Sequence, residues 1–230
     1  MKPSHRHVRA GFARLRENRY AEAEQAFQRA LALVQGTDEL DGEDLARIEH
    51  LLGLCRRELR DIGAASRHFA RALAQAEVFY GATDVALIPI CTDLGDAMRS
   101  LGDLADAKAL YERALAIDPE DSTVPFTLCG LGRVLEYLGD LQGAKASYQK
   151  ALTIADTQQG AKYDARAAAL LYLGNVLRLL GDGKGSLASL KRGMALGKVA
   201  YTEDFPEASA TLSHLETVLE GGAVISRALH

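Results

Sequence analysis

The sequence predicts an all-α chain built from one helical hairpin repeated five times, with no β-sheet. Composition is the first reason. Five prolines and no tryptophan stand in 230 residues rich in Ala, Leu, Glu and Arg, residues whose intrinsic propensity favours helix throughout. A self-similar pattern that recurs along the chain is the second, since a fixed period of this length marks a repeat architecture. The third is the 48% hydrophobic content, enough for a continuous core without disulfide or metal staples.

The recurring pattern is a small residue, three others, a ring or apolar residue, two others, then a small residue and an aliphatic one. It reads Ala23, Phe27, Ala30, Leu31; then Ala65, Phe69, Ala72, Leu73; then Ala107, Tyr111, Ala114, Leu115; then Ala144, Tyr148, Ala151, Leu152. A weaker fifth copy follows in Ser186, Leu190, Gly193 and Met194. A glycine precedes each copy at constant distance, and Gly11, Gly53, Gly95, Gly132 and Gly174 fall 42, 42, 37 and 42 residues apart. The one short period is expected to reflect a shorter loop between units.

Each unit divides into two helices. In the first, apolar residues recur at spacings of three and four, as in Leu128, Leu131, Val134, Leu135 and Leu138. A turn follows in Leu101-Gly102-Asp103, Leu138-Gly139-Asp140 and Leu180-Gly181-Asp182, which places glycine where a helix C-terminus takes positive φ and Asp where the next helix takes a cap. Asn18 and Arg60-Asp61 hold that place in the first two units, and Arg tolerates the left-handed conformation less well than Asn. The glycine inside each first helix costs about 1 kcal/mol relative to Ala, so it implies a close contact. The expectation is that Gly95 meets Ala107 at a helix crossing while Tyr111 wedges into the neighbouring unit.

With Leu52-Gly53, Leu94-Gly95, Leu131-Gly132 and Leu173-Gly174 ahead of the A-x₃-aromatic step, the pattern resembles the tetratricopeptide repeat. The resemblance covers residues from about 4 to 198; the signature tryptophan and tyrosine are missing, and Pro119 alone supplies the closing proline. The period exceeds the usual repeat of about 34 residues, with linkers such as Val78 to Ala86, as in the class that includes kinesin light chain and Pins-like arrays. The resemblance implies a right-handed superhelical solenoid forming a single domain, with units at 4–37, 46–79, 88–121, 125–158 and 167–200, a capping helix at 206–220 and a tail at 221–230.

Charge and cysteines narrow the function. A net charge of −4 and a pI near 5.9 argue against a general nucleic-acid binder. Cys55, Cys91 and Cys129 are odd in number and far apart, which argues against a disulfide framework or a zinc site and suits a reducing, cytoplasmic compartment. No run of apolar residues reads as a membrane span, and the N-terminus lacks a secretory core. Glu17 and the fit to the first unit argue against reading Lys2, Arg6, Arg9, Arg14, Arg16 and Arg19 as a transit peptide.

In the family resembled, the first helices line a concave groove. By register that groove holds Arg47, His50, Arg57, Asp93, Asp96, Arg99, Arg133, Glu136, Tyr137, Tyr172, Asn175 and Arg178. The candidate peptide-binding residues are Arg57, Arg99, Arg133, Tyr137, Tyr172, Asn175 and Arg178: arginine takes a carboxylate through two parallel hydrogen bonds, and asparagine pairs with a peptide amide through donor and acceptor. In the resembling class an asparagine placed like Asn175 contacts ligand backbone. The competing reading is a charged helix face in which the arginines only pair with Asp96 and Glu136. Cys129 is the cysteine that register brings towards the groove.

Other motifs fail on context. Gly181-Asp182-Gly183-Lys184-Gly185-Ser186 lacks the order of a phosphate loop and reads as a hairpin turn. Asp38, Glu39, Asp41, Glu43 and Asp44 lack calcium-loop spacing and read as a linker whose last acids favour the next helix N-terminus. His5 and His7 fall on different helix faces and make a poor metal pair. The expectation is a non-catalytic adaptor without cofactor or metal, holding a protein or peptide segment with acidic residues and binding neither nucleic acid nor membrane. A peptide-responsive regulator ranks second, because it needs an effector domain and the first unit opens at residue 4. Self-assembly through the apolar Val224, Ile225 and Leu229 ranks third.

Overall fold

A computed structural model describes residues 3–34, 41–157 and 163–196. Among them lie ten α-helices and no strand: α1 Pro3–Arg16, α2 Tyr20–Val34, α3 Gly42–Glu58, α4 Ile62–Tyr80, α5 Leu87–Leu101, α6 Leu104–Ile117, α7 Val124–Tyr137, α8 Leu141–Thr157, α9 Tyr163–Leu179 and α10 Gly183–Leu196. They pair into five hairpins. The chain divides into two compact units, residues 1–118 with α1 to α6 and residues 119–230 with α7 to α10. The expected capping helix and tail, with Val224, Ile225 and Leu229, lie outside the described residues.

All five hairpin turns share one construction. Asn18, Arg60, Gly102, Gly139 and Gly181 have φ between 56° and 92°. In each turn that residue's amide donates to the carbonyl three back, and the next amide donates to the carbonyl five back, as with Gly139 to Glu136 at 3.0 Å and Asp140 to Leu135 at 2.9 Å. This is the Schellman arrangement, which satisfies carbonyls that a helix end leaves without partners. Asp61, Asp140 and Asp182 then accept from the amides of Ala64, Gly143 and Gly185 and so cap the following helix, whereas Asp103 makes no such bond. The Gly181 to Ser186 segment is accordingly a turn and the start of α10.

Contact with a ring explains the mid-helix glycines, and it corrects the expected geometry. The ring lies over the glycine of its own hairpin. A Cβ added at Gly11 would stand 2.5 Å from Phe27, at Gly95 2.9 Å from Tyr111 and at Gly132 2.5 Å from Tyr148; Gly53 faces Phe69 in the same way. At Gly174 the partner is Leu190, 2.6 Å away. Gly95 thus meets the Tyr111 ring where Ala107 was expected, because a ring flat against bare backbone fills the space a side chain would take. Tyr148 also reaches the following hairpin, where its ring stacks on Tyr172 at 5.5 Å.

The short period has a different origin from the one expected. Residues 81–86 follow α4 and residues 118–123 follow α6, so the two loops are equal in length. The difference is in the helices: α4 has 19 residues and α6 has 14.

In unit 1 the core joins hairpins through Val8, Phe27, Ile48, Leu52 and Cys55, and through Phe69, Leu73, Leu87, Ile88, Cys91 and Leu94. Arginines brace successive hairpins: Arg56 pairs with Glu24, and Arg113 pairs with Glu77 and donates to the carbonyl of Ala82 at 3.0 Å. In unit 2, α9 buries Ala165, Ala167, Ala169, Leu170, Leu173 and Val176, an apolar surface nearly all round, as its position between α8 and α10 requires. Arg166 there pairs with Asp156 at 2.7 Å. All three cysteines are buried, so Cys129 does not open onto the first-helix face as register suggested. Burial pushes the Cys55 and Cys91 thiols up to about 11.

Two substitutions test this packing by thermal and urea unfolding. Gly132→Ala gains helix propensity but drives a methyl into Tyr148, and overpacking dominates, so it should destabilise by about 1–3 kcal/mol. Arg60→Gly relieves a left-handed residue and should stabilise by about 0.5–1 kcal/mol, because part of the roughly 1–2 kcal/mol strain is offset by glycine's freedom in the unfolded chain.

Candidate functional site

The predicted residues lie on first helices and divide between the two units: Arg57 and Arg99 in unit 1, and Arg133, Tyr137, Tyr172, Asn175 and Arg178 in unit 2. Each face follows from its own helices.

In unit 1, helix α3 supplies Arg47, His50 and Arg57, and α5 supplies Asp93, Asp96 and Arg99. Asp93 joins the two helices: His50 Nε2 lies 2.7 Å from one carboxylate oxygen, and Arg57 donates to the other at 2.6 Å. Burial works against the charge of Arg57, but Asp93, with Glu58 and Asp96 behind it, outweighs burial and holds the guanidinium above its ordinary value. Arg99 has a side chain only 11% exposed and pairs with Asp96 at 3.1 Å. The same Asp96 oxygen accepts from the buried Tyr111 hydroxyl at 2.8 Å. Burial, then the Asp96 charge, pushes that phenol up, so it stays a protonated donor. Arg47 is exposed, pairs with Asp44 at 2.7 Å and sits over the Phe12 ring.

In unit 2, Arg133 of α7 lies over the Tyr172 ring of α9, 5.2 Å from its centroid, a cation–π contact. Tyr172 stacks in turn on Tyr148, whose hydroxyl donates to Glu136 at 2.7 Å. Asn175 Nδ2 approaches the other Glu136 oxygen at 3.5 Å, and Asn175 Oδ1 accepts from Arg178 at 3.1 Å. The Asn175 amide thus already engages both its oxygen and its nitrogen within the chain, with its second N–H left for other use. Burial pushes the Glu136 carboxyl above its ordinary range, against the Tyr148 hydrogen bond, the Arg133 charge and Asn175, which all favour the ionised form. Tyr137, the last residue of α7, is 62% exposed.

Register alone placed these residues on first helices. It did not reveal Asp93 as the junction of His50 and Arg57, nor the anchoring of the ring hydroxyls. A signal for the second existed: the ring is Phe in the first two hairpins and Tyr in the next two, and only the Tyr hairpins set a carboxylate on the first helix within hydrogen-bonding reach of the ring hydroxyl, Asp96 after Gly95 and Glu136 one turn after Gly132. A buried hydroxyl needs an acceptor, and the sequence supplies it.

The tetratricopeptide repeat profile matches residues 6–77, 44–120 and 123–198. No curated protein sequence matches the chain. Solved structures share its fold. BtubC (BKLC) from P. vanneervenii aligns with TM-score 0.71 at 20% identity, over 81% of this chain and 76% of that one. The apo form of RapI aligns with TM-score 0.78 at 15% identity, over 94% and 77%. A chain of the APC/C hetero-tetramer Cut9-Hcn1 aligns with TM-score 0.71 at 19% identity over 93% of this chain, which spans only 36% of that one. Tetratricopeptide repeats are protein-interaction modules, and with profile matches running across nearly all the described hairpins, this chain belongs to the tetratricopeptide repeat family.

Proposed function

We propose that the chain is an adaptor that holds an acidic segment of a partner polypeptide on the faces of its first helices. The observation that carries this reading is the preorganised set of cations and rings on those faces, clearest where Arg133 lies over Tyr172 and Arg178 is held by Asn175, beside the exposed Tyr137. Side chains already fixed by neighbours lose little rotamer freedom when a ligand arrives, which favours affinity. Arginine and tyrosine are also the residue types that dominate binding energy at protein interfaces.

Capture, in this reading, replaces catalysis. The strongly perturbed groups are Tyr111, Tyr148, Cys55 and Cys91, and burial holds each in its protonated, unreactive form. They belong to the packing of the hairpins.

Affinity capture with two charge-reversed forms of the full chain tests the adaptor reading. Reversal on the first helices (R47E, R133E, R178E) should abolish retention of the partner, with helicity by circular dichroism unchanged. Reversal of exposed second-helix residues (R29E, R71E, K150E, R192E) should leave retention intact, and the opposite pattern refutes the assignment. A pH dependence follows as well. Because burial raises the Glu136 carboxyl, that side chain takes up a proton at a pH where partner carboxylates are still ionised, and the face becomes more positive. Binding of an acidic segment should therefore tighten as Glu136 takes up its proton on acidification, and Glu136→Gln should remove that pH dependence, measured by titration calorimetry.

A further inference from the structure

Within unit 1 the hairpins stack by one repeated contact, in which a first helix takes the second helix of the hairpin before it against one edge. On α3 the edge that takes α2 is Ile48, Leu52 and Cys55, which share a core with Ala23, Phe27 and Ala30. On α5 the edge that takes α4 is Ile90, Leu94 and Ala97, which share a core with Ala65, Phe69 and Ala72. A carboxylate of the seated helix also closes the first of these joints: the nearly buried Glu24 of α2 pairs with Arg56 of α3.

The 42-residue step from Gly53 back to Gly11 places Arg6, Ala10 and Ala13 of α1 at the positions of Ile48, Leu52 and Cys55. All three are exposed, as are Arg9 and Arg16 along one side of them. This edge is open, and its two alanines leave room for another helix to approach closely. Its charge is of one sign. Helix α1 holds four arginines and no carboxylate. Arg14 is met from outside the helix by Glu17 and Glu22, whereas among the described residues Arg6 and Arg16 make no ion pair. A cation in the first turn, such as Arg6, opposes the helix dipole, and Arg6 and Arg9, three residues apart, repel each other. An end that served solubility alone would need neither cost, since mixed charges serve that purpose. Carboxylates laid against the edge relieve both.

We infer that this edge of α1 docks an acidic helix of another polypeptide. The incoming helix lies on Ala10 and Ala13 through small or aliphatic residues, as α2 lies on α3, and gives carboxylates to Arg6 and Arg16. Charge complementarity selects that occupant over a second copy of the chain. The last described second helix, α10, carries Lys184, Lys191 and Arg192 and no carboxylate, so stacking it on α1 would set like charges together. The edge lies apart from the outward first-helix faces, and the inference does not rest on the adaptor reading of those faces.

The test uses the full chain, labelled with nitrogen-15, and a capped helical peptide of alanine, leucine and glutamate, about 15 residues long, with Gln-for-Glu and Lys-for-Glu counterparts. Docking on this edge predicts amide shift changes centred on α1, binding about tenfold or more tighter for the Glu peptide than for the Gln peptide, and none for the Lys peptide. R6Q/R16Q should lose the Glu preference with helicity unchanged, and R133E/R178E should bind at α1 as the parent does. Shifts on α7 and α9 in place of α1, equal binding of the Gln peptide, or no shift at all overturns the inference, the last leaving the edge a solubilising end. Light scattering of the chain alone decides about a second copy: self-association that R6Q/R16Q abolishes also overturns it. Partner capture lost in the first-helix reversal, with no peptide on α1, sinks the edge and spares the adaptor reading. Peptide on α1 with capture unaffected by that reversal does the converse.

Discussion

Every hairpin depends on a side chain seated against a glycine. At Gly11, Gly53, Gly95 and Gly132 the seated group is an aromatic ring, and at Gly174 it is Leu190. The contact lets two helices approach closely, and it fixes their register, because the ring fits only where the backbone is bare. Close packing of this kind is felt at the scale of one methyl group. The small residues around each ring, Ala107 and Ala114 about Tyr111 or Ala144 and Ala151 about Tyr148, are fully buried for the same reason. Each first helix is thus held at a fixed pitch against its partner, and its outward side chains inherit fixed positions.

The seated ring also links packing to electrostatics. Where it is phenylalanine, the ring has no hydroxyl to satisfy and recruits no carboxylate. Where it is tyrosine, the hydroxyl at its far edge must find an acceptor, and it recruits Asp96 in one hairpin and Glu136 in another. The recruited carboxylate then decides the state of nearby cations. Asp96 also accepts from Arg99 and absorbs its charge, whereas Glu136 turns to Asn175 and leaves Arg133 to a ring.

Much of the fold was legible in the sequence because its determinants are local. The turn residues Asn18, Gly102, Gly139 and Gly181 announce positive φ by type and spacing and Arg60 by spacing alone, and the structure has it at all five. The ring and glycine were legible as partners in a pattern but not as a contact, since one-dimensional spacing does not say which hairpin a ring faces. The origin of the short period was hidden for a similar reason: loop and helix residues beyond the last buried position look alike in sequence. The candidate residues were placed on the correct helices by register. Their partners were not legible, because whether Arg99 meets a carboxylate or Arg133 a ring depends on how neighbouring side chains pack.

The length of α4 has a consequence for how such an array changes over time. Its last buried residue is Ala76, yet the helix continues to Tyr80, and Val78 is 90% exposed. Counted from the matching small residues Ala72 and Ala114, α4 runs on to Tyr80 while α6 stops at Ile117, and the loop after α6 is no longer. The distal end of the second helix is therefore a zone of tolerance, where residues can be added or lost without moving a ring off its glycine. Each hairpin behaves as a closed cassette with an adjustable hem, so duplication and drift in length need not disturb the first-helix face.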